Sequence, residues 1–322
     1  MLKDKEQIKL WLDSMEVTNY TINDDLTVDV DGNVHLFMKK LKEIPVQFGI
    51  VTGGFNCAYN QLDSLKGSPI VVGNMFICAN NNLNSLEYSP QKIGSMFNCA
   101  RNNLTSLLFG PIEVAQDYDC TDNKLISLNG APKIIHGSFS CDENLLKNLV
   151  GGPEEIKVNY TCSNNKLTSL KGAPQKIEED FSCTNNKLKN LKYCPEIIGH
   201  NCFITHNKIV SLKNGPKHIG GDFMCNFNEI EIIDYFPEYI GGDFQFYQNP
   251  STTLLSPNFK NFTLKGKLKH QIFQGKTIDG LFEFYKNFML ELSEDQMSAI
   301  FLHEKLSQTL PNKLDSNNKH KI

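Results

Sequence analysis

The stretch FNCAYNQLDSLKGSP at residues 55–69 decides the fold, because FICANNNLNSLEYSP at residues 76–90 repeats its pattern. The shared template is F-x-C-x-x-N-x-L-x-x-L-x-x-x-P-x-x-I-G-x-x, which recurs every 21 residues from Phe55 to Asp243 without an insertion. The asparagine of the template is present in each repeat, at Asn60, Asn81, Asn102, Asn123, Asn144, Asn165, Asn186, Asn207, Asn228 and Asn249. A fixed period of this kind predicts a solenoid, in which each repeat stacks on its neighbours.

Each repeat predicts the same chain path. The Phe and Cys slots alternate with other residues, so F-x-C predicts a short strand with those two side chains inward, and successive strands pair in parallel. The Asn amide is expected to satisfy backbone groups where the chain leaves the sheet. Two Leu slots and one Ile slot fill the remaining core. Because Gly and Pro interrupt the rest, we expect extended or 3₁₀ segments on the far, convex side.

The two ends of the chain depart from the template. Residues 4–16 predict an amphipathic helix with Ile8, Trp11, Leu12 and Met15 on one face. The stretches 26–30 and 34–36 flank Asp31-Gly32, a strong hairpin signal. We therefore predict an N-terminal cap of helix and hairpin at 1–33 and a solenoid at 34–250, with a degenerate first repeat, nine full repeats and a partial last one.

Beyond Asn249-Pro250 the pattern stops. We predict a C-terminal cap at 251–310 with two helices, one from Ile278 to Leu292 and one from Ser293 to about Leu306. The polar residues 311–322 predict a disordered tail.

The ten cysteines predict core packing and not a disulfide or metal framework. Eight of them occupy one slot of the repeat, which also accepts Leu36, Ile204 and Phe246. A slot with this membership is apolar, and a free Cys behaves as a small hydrophobic residue. The short C-x-x-C pairs typical of zinc sites are missing from the sequence. A buried row of reduced thiols indicates a reducing compartment.

The core of the repeat, F-x-C-x-x-N-x-L, resembles the leucine-rich repeat consensus L-x-L-x-x-N/C-x-L. The short period and the Leu-x-x-x-Pro spacing are similar to the short repeats of bacterial and bacteriophage leucine-rich repeat proteins. The resemblance covers residues 34–250 and departs from the common form by placing Phe or Tyr and Cys in strand slots. It implies an α/β-type leucine-rich repeat solenoid, with a long parallel sheet of short strands on the concave side. It also implies binding of a ligand or protein on that sheet, without catalysis.

Composition excludes several classes of protein. The 322 residues carry a net charge of −4 and are 40% hydrophobic, which fits neither a general nucleic-acid binder nor a disordered acidic chain. No apolar run approaches the roughly 18 residues that span a bilayer. The N-terminus mixes charges with its apolar residues, unlike a secretory signal. We expect a cytoplasmic protein without a membrane partner.

The residues that flank the Phe and Cys slots are predicted to face outward from the concave sheet, and they fall into three zones. An early apolar zone contains Met75, Ile77 and Met96. An acidic zone contains Asp117, Asp119, Asp122, Asp142 and Glu143. A late aromatic zone contains Phe203, His206, Met224, Phe227 and Tyr247. Exposed aromatic residues and Met on a rigid sheet are typical of a binding hot spot, although the same residues also suit the covering of terminal repeats.

Two charged segments of the chain also suit other functions. The acidic zone suits a basic partner or a hard cation such as calcium, but it lacks a D-x-D-x-D-G loop. The Lys-rich segment 260–276 suits phosphate contact or the blunting of a sheet edge. No G-x-S-x-G, H-E-x-x-H or P-loop motif is present.

The sequence therefore predicts a non-enzyme without a cofactor or metal that binds a protein partner on the concave sheet. One alternative is a structural component of a larger assembly, such as a phage particle or a cell-surface lattice. A second alternative is a nucleic-acid-associated protein that uses the segment 260–276.

Overall fold

A computed structural model describes residues 1–230, 232–233, 235–250, 254–255 and 263–269, all within the compact unit Met1–Gln274. These residues contain one helix, α1 (Lys5–Ser14), and a series of short strands. The strands are, in chain order, β1 (Tyr20–Ile22), β2 (Thr27–Val30), β3 (Val34–His35), β4 (Gln47–Val51), β5 (Phe55–Asn56), β6 (Val71–Val72), β7 (Phe76–Ile77), β8 (Lys92–Ile93), β9 (Phe97–Asn98), β10 (Glu113–Val114), β11 (Tyr118–Asp119), β12 (Ile134–Ile135), β13 (Phe139–Ser140), β14 (Glu155–Ile156), β15 (Tyr160–Thr161), β16 (Lys176–Ile177), β17 (Phe181–Ser182), β18 (Ile197–Ile198), β19 (Cys202–Phe203), β20 (His218–Ile219), β21 (Phe223–Met224), β22 (Ile232–Ile233), β23 (Tyr239–Ile240), β24 (Phe244–Gln245), β25 (Leu254–Leu255), β26 (Thr263–Leu264) and β27 (Leu268–Lys269).

The predicted parallel sheet is confirmed, and we call it the front sheet. It has twelve strands in the order β27-β24-β21-β19-β17-β15-β13-β11-β9-β7-β5-β3, one from each successive turn. From β3 to β24 each strand pairs in parallel with the strand 21 residues later, as Phe55 does with Phe76. One 21-residue repeat of the template therefore forms one turn of the solenoid.

The opposite side of each turn is also extended, and none of the described residues forms a 3₁₀ helix. The Ile slot lies on a second, back ladder of short strands, which have two residues each from β6 onward. This ladder consists of a six-stranded sheet that ends at β10 and a seven-stranded sheet that begins at β12. β10 and β12 do not pair with each other, although the front strands of the same turns, β11 and β13, do. The back ladder therefore has one break, between Val114 and Ile134.

The core is built from the slots that the sequence predicts. The Phe-slot side chains from Phe55 to Phe244 are fully buried, and neighbouring rings contact one another from Phe55 to Phe181 and again between Phe223 and Phe244, with Cys202 between the two groups. Phe55 and Phe76 are stacked at a centroid distance of 5.6 Å. All ten cysteines are free and buried. The thiols of Cys78, Cys120, Cys141 and Cys162 donate to carbonyls of the next repeat, for example from Cys120 Sγ to Ser140 O at 3.2 Å. The packing interpretation of the cysteine row is thus confirmed.

The buried asparagines bind neighbouring repeats together. Asn144 Nδ2 donates to Cys141 O at 3.2 Å in its own repeat and to Cys120 O at 3.1 Å in the preceding one. Its Oδ1 accepts from Leu125 N at 2.9 Å. The same three contacts recur at each Asn slot from Asn81 to Asn249. One amide thus satisfies three backbone groups at each bend, as the sequence predicts.

The N-terminal cap differs from the predicted one in its pairing. α1 begins at the N-cap Asp4, which accepts from Gln7 N, and it buries Ile8 and Leu12. β1 pairs antiparallel with β2, so the hairpin turn lies between Ile22 and Thr27 and not at Asp31-Gly32. β2 pairs in parallel with β4 of the back ladder, whereas β3 pairs with β5 of the front sheet. The stretches on either side of Asp31-Gly32 therefore enter different sheets, which excludes the predicted hairpin between them.

The ladders also continue past residue 250. β26 pairs with β23 and β27 with β24, each at a spacing of 24 instead of 21 residues. The divisions at 33 and 250 thus remain predictions about domain organisation. The two predicted C-terminal helices, the tail 311–322 and most of the segment 260–276 lie outside the described residues.

Candidate functional site

The candidate site is the front face, which we define as the outward side chains of the front sheet and of the bend that follows it. In each repeat these are the residue before the Phe slot, the residue between the Phe and Cys slots, and the first two residues after the Cys slot. The buried Phe and Cys side chains fix the strand, so the intervening side chains must point to the other side of the sheet. All three predicted zones belong to this face.

The early apolar zone is partly covered by its own neighbours. Met75 is 37% exposed, while Ile77 and Met96 are half-buried. Ile77 packs against a cluster of the buried alanines Ala58, Ala79 and Ala100. The early apolar zone is therefore a partly buried apolar surface, and Met75 is its most exposed side chain.

The acidic zone divides into structural and free carboxylates. Asp117 Oδ1 accepts from Ser138 N at 2.7 Å, a bond that Asp180 and Asp222 repeat in later turns. Asp119 accepts from Thr121 N at 3.0 Å and from Asn98 Nδ2 at 3.1 Å. These two carboxylates therefore support the backbone as well as carrying charge.

Asp142 also supports the backbone, since its Oδ1 accepts from Ser163 N at 2.5 Å, whereas Asp122 and Glu143 are more available to a partner. Asp122 and Glu143 are exposed, and the nearest cation to Asp122 is Arg101, whose Nε lies 3.9 Å from its Oδ2. Burial raises the pKa of Asp142, and the neighbouring carboxylates Asp119 and Glu143 raise it further. A cationic group placed here would relieve this repulsion. No group of three or more His, Cys, Asp or Glu in the described residues is arranged to hold a metal ion.

The late aromatic zone is brought together over three adjacent turns. Phe203 is paired in register with Met224, and both are half-buried. His206 and Phe227 stack with ring centroids 4.2 Å apart and an interplanar angle of 9°. Phe227 is 47% exposed, and its N–H donates to the carbonyl of Tyr247 at 2.9 Å. The zone is a compact surface of aromatic rings and one thioether.

His206 and Phe227 are also held in an unusual backbone conformation. Their φ angles are 52° and 55°, in the left-handed region that bulky residues rarely adopt. The whole column has this conformation because the chain turns off the sheet here, and Asn164 and Asn185 occupy it in earlier turns. Asn tolerates the left-handed region better than an aromatic residue does. Strained, exposed aromatic residues on a rigid element are typical of functional sites.

An aromatic cluster that lies outside the three predicted zones is present at the other end of the face. Phe37 and Tyr59 are 43% and 47% exposed, and their rings meet edge to face at 5.3 Å. Met38, next to them, is 61% exposed. The signal was present, because Val34 and Leu36 already align the first repeat with the template and so place Phe37 and Met38 in outward columns.

Acidic side chains greatly outnumber basic ones on the front face. Between Asn33 and Gln248 its columns carry the carboxylates Asp117, Asp119, Asp122, Asp142, Glu143, Asp180, Asp222 and Asp243, and only one Lys or Arg, Arg101. The whole chain is nearly balanced, with 32 Lys and Arg against 36 Asp and Glu. The lysines of these repeats therefore lie on other surfaces, and the front face is anionic.

Comparisons with known proteins place the fold. No protein-family model and no curated protein sequence matches this chain. Among solved structures, YopM from Yersinia enterocolitica is similar over 69% of this chain, with 20% identity and a TM-score of 0.51. This chain spans 50% of that structure. YopM from Yersinia pestis, described as a leucine-rich effector protein, has 13% identity over 74% of this chain and 88% of its own, with a TM-score of 0.32 that is too low to bear on the fold.

In the described part of the chain, no helix is both long and apolar enough to cross a bilayer. The repeats, the buried Asn ladder and the similarity to the Y. enterocolitica structure agree with one another. The chain has the leucine-rich repeat fold.

Proposed function

We propose that this chain is a non-catalytic module that binds another protein on its front face. The leucine-rich repeat fold is typical of protein–protein interaction modules, and this fold-level argument gives the class of function. The observation that carries the proposal is the late aromatic zone, where His206 and Phe227 are exposed, stacked and strained on a rigid ladder. A preorganised anchor of this kind binds with little loss of side-chain entropy.

The charge of the face indicates the chemistry of the partner. Eight carboxylates and one Arg favour a partner segment that is rich in Lys or Arg and also carries apolar residues for the two aromatic ends. The same charge disfavours nucleic acid on this face, since phosphates would be repelled. The ten free, buried thiols support a reducing compartment, so we propose that binding takes place in the cytoplasm. A structural role within a larger assembly is the alternative, in which the same face contacts a neighbouring subunit.

The test is a pull-down that compares the wild-type chain with His206→Asn/Phe227→Asn. Asn is the residue that other repeats use in this column, and Asn185 Nδ2 already donates to Asn164 Oδ1 at 2.7 Å across two turns. The double variant should therefore fold at least as stably as the wild type while losing its aromatic anchor. We expect loss of the bound protein, with an affinity reduced at least about 100-fold.

Met38→Asn/Tyr59→Asn is the matched control, because it changes the same column at the opposite end of the face. Loss of binding in the late variant alone supports the late zone as the anchor. Loss in the control alone moves the anchor to the Phe37 cluster. Retention of the partner by both variants contradicts binding on the front face.

A further inference from the structure

A second exposed surface lies away from the front face, on the turn between the second Leu slot and the back ladder. Its exposed apolar side chains come from four successive repeats, and we call them the flank patch: Ile70, Val71, Tyr88, Leu108, Phe109, Ile112 and Ile134. Phe109 is 67% exposed and Ile112 62% exposed. Other repeats place Lys, Glu, Gln or Asn at most of these positions. The patch is therefore a local departure from a polar surface.

Two of its aromatic residues occupy a backbone position that suits glycine. Tyr88 and Phe109 have φ angles of 70° and 68°, in the left-handed region. Gly67, Gly130, Gly151 and Gly172 fill the same column in other turns, with φ between 87° and 99°. A bulky residue is strained at such a position, whereas glycine is not. Fold stability therefore favours glycine at 88 and 109, and the aromatic residues need another explanation.

Two tyrosines of the same column are shielded in a way that Tyr88 and Phe109 are not. Lys192 Nζ lies 5.0 Å from the ring centroid of Tyr193, and Lys213 Nζ lies 5.3 Å from that of Tyr235. Within the described residues, no ring or cation covers Tyr88 or Phe109. Glu87 and Leu108 stand where a lysine precedes Tyr193. Tyr88 and Phe109 are 51% and 67% exposed, against 43% for Tyr193 and 54% for Tyr235, so Phe109 is the most exposed ring of the column.

The break in the back ladder lies beside the flank patch. β10 and β12 do not pair, and a pocket of about 650 Å³ opens next to them. Its lining includes Ile93, Val114, Ile112 and Ile134, with Lys133 and His136 at its polar side. A pocket of this size accepts an aromatic side chain. The same surface therefore carries a projecting ring, Phe109, and an apolar recess.

We propose that the flank patch is the interface between two copies of this chain, related by a two-fold axis that brings Phe109 of each copy towards the recess of the other. A surface that carries both a projection and a recess is self-complementary, as a two-fold interface requires. From their exposed fractions, the seven side chains present roughly 700 Å², which approaches the roughly 800 Å² per partner of a stable interface. Single exposed apolar patches on monomers are smaller, about 300–600 Å².

The distribution of charge is compatible with a second copy of the chain at the flank patch. Two ion pairs near the patch are neutral, Lys92 with Glu113 at 3.0 Å and Lys133 with Glu154 at 2.7 Å. Two such surfaces meet without net repulsion. The front face, with its eight carboxylates, would repel another copy of itself. Association through the flank patch also leaves the front face open in both copies.

The test is sedimentation velocity of the full chain from about 1 µM to about 100 µM, a range that brackets a micromolar dissociation constant. We expect a dimer for the wild type and a monomer for Tyr88→Gly/Phe109→Gly, with dimerisation at least about 100-fold weaker. Because glycine relieves the left-handed strain, this variant should melt at the same temperature as the wild type or higher. Weaker dimerisation with an unchanged or higher melting temperature would show that Tyr88 and Phe109 act at an interface. Truncation of core residues would instead lower the melting temperature.

Tyr193→Gly/Tyr235→Gly is the matched control, since it makes the same change in the same column outside the patch. It should dimerise like the wild type. Ile112→Lys is a second probe, which places a charge beside the recess without touching the strained column, and it should also give a monomer. A wild type that remains monomeric over the whole range overturns the proposal. A dimer that survives both Tyr88→Gly/Phe109→Gly and Ile112→Lys overturns it as well.

Discussion

At the scale of single residues, the Asn slot shows how one side chain holds two repeats. The Asn144 amide accepts from the Leu125 N–H and donates to the carbonyls of Cys120 and Cys141, and the residue is 4% exposed. Its loss leaves the buried Leu125 N–H without this partner, which costs about 1–3 kcal/mol when water cannot reach the group. Each of the two carbonyls also accepts from the amide of an adjacent Asn slot, Asn123 or Asn165, and so loses one of its two amide donors. Partial relaxation and water entry reduce the total.

We therefore predict that Asn144→Ala lowers the free energy of unfolding by about 3 kcal/mol, measured by urea denaturation. Asn82→Ala is the control, because Asn82 is exposed and directly follows the ladder residue Asn81. It should change stability by less than about 0.5 kcal/mol. Equal effects of the two substitutions would show that the buried amide is not what joins the repeats.

The residue scale also shows what the sequence can and cannot predict. The Asn ladder was predictable because only a buried amide explains an invariant polar residue at a bend. The double role of Asp117 was not, since a carboxylate that accepts from the next strand looks the same in sequence as one that faces solvent. The left-handed columns were also missed, because Tyr88, Phe109, His206 and Phe227 are residues that seldom mark such positions.

At the scale of elements, the row of buried cysteines makes stability depend on alkaline pH. Burial raises the pKa of the Cys57 and Cys183 thiols to about 12, and it raises the others well above the ordinary value of 9.0. The unfolded chain ionises its thiols near pH 9, whereas the folded chain keeps them protonated. The contribution of the protonated thiols to stability is complete below pH 9 and is lost as the pH rises towards the pKa of the thiols in the folded chain. Between these two pH values, each thiol lowers the free energy of unfolding by about 1.4 kcal/mol per pH unit.

We predict that the free energy of unfolding falls steeply above about pH 9. Urea titration at a series of pH values measures this fall. A variant with Cys99, Cys120 and Cys141 replaced by Ala should start from a lower stability at pH 8, because three side chains are truncated in the core. Its fall above pH 9 should be shallower by about 4 kcal/mol per pH unit, since three ionisable groups have been removed. A slope that the substitutions leave unchanged would mean that the thiols do not differ in pKa between the folded and unfolded chains.

The predicted element boundaries agree with the structure within the 21-residue repeats and are wrong at the N-terminus, where the repeat pattern is absent. The front strands were predictable to within one residue, because two buried slots alternate with outward residues in every turn, and each strand ends just before the Cys slot. The N-terminal hairpin was misplaced because Asp31-Gly32 is a strong turn signal that here joins two different sheets, while the true hairpin turns at Asn23 to Leu26. The back ladder was expected only as extended segments, since a single Ile per turn gives no alternation to read.

At the scale of the whole described unit, the three predicted zones lie in chain order along the front face, and their role in binding stays a prediction. Their chemistry follows from columns that the period aligns. The break between β10 and β12, the recess beside it and the exposure of the flank patch depend on how neighbouring turns separate, which no single repeat specifies. We therefore propose two surfaces for assembly, an anionic front face for a partner protein and an apolar flank for a second copy.

The central claim is that a protein binds the front face, and site-specific photo-crosslinking tests it most directly. A photoreactive phenylalanine analogue placed at Phe203 should crosslink one protein in a lysate of cells that express the chain, through a segment rich in Lys or Arg. The same analogue at Ile126, which is 68% exposed and lies outside the front-face columns, should give no such product. A product of equal yield from both positions, or none from Phe203, Phe227 and Tyr59 alike, would contradict the claim.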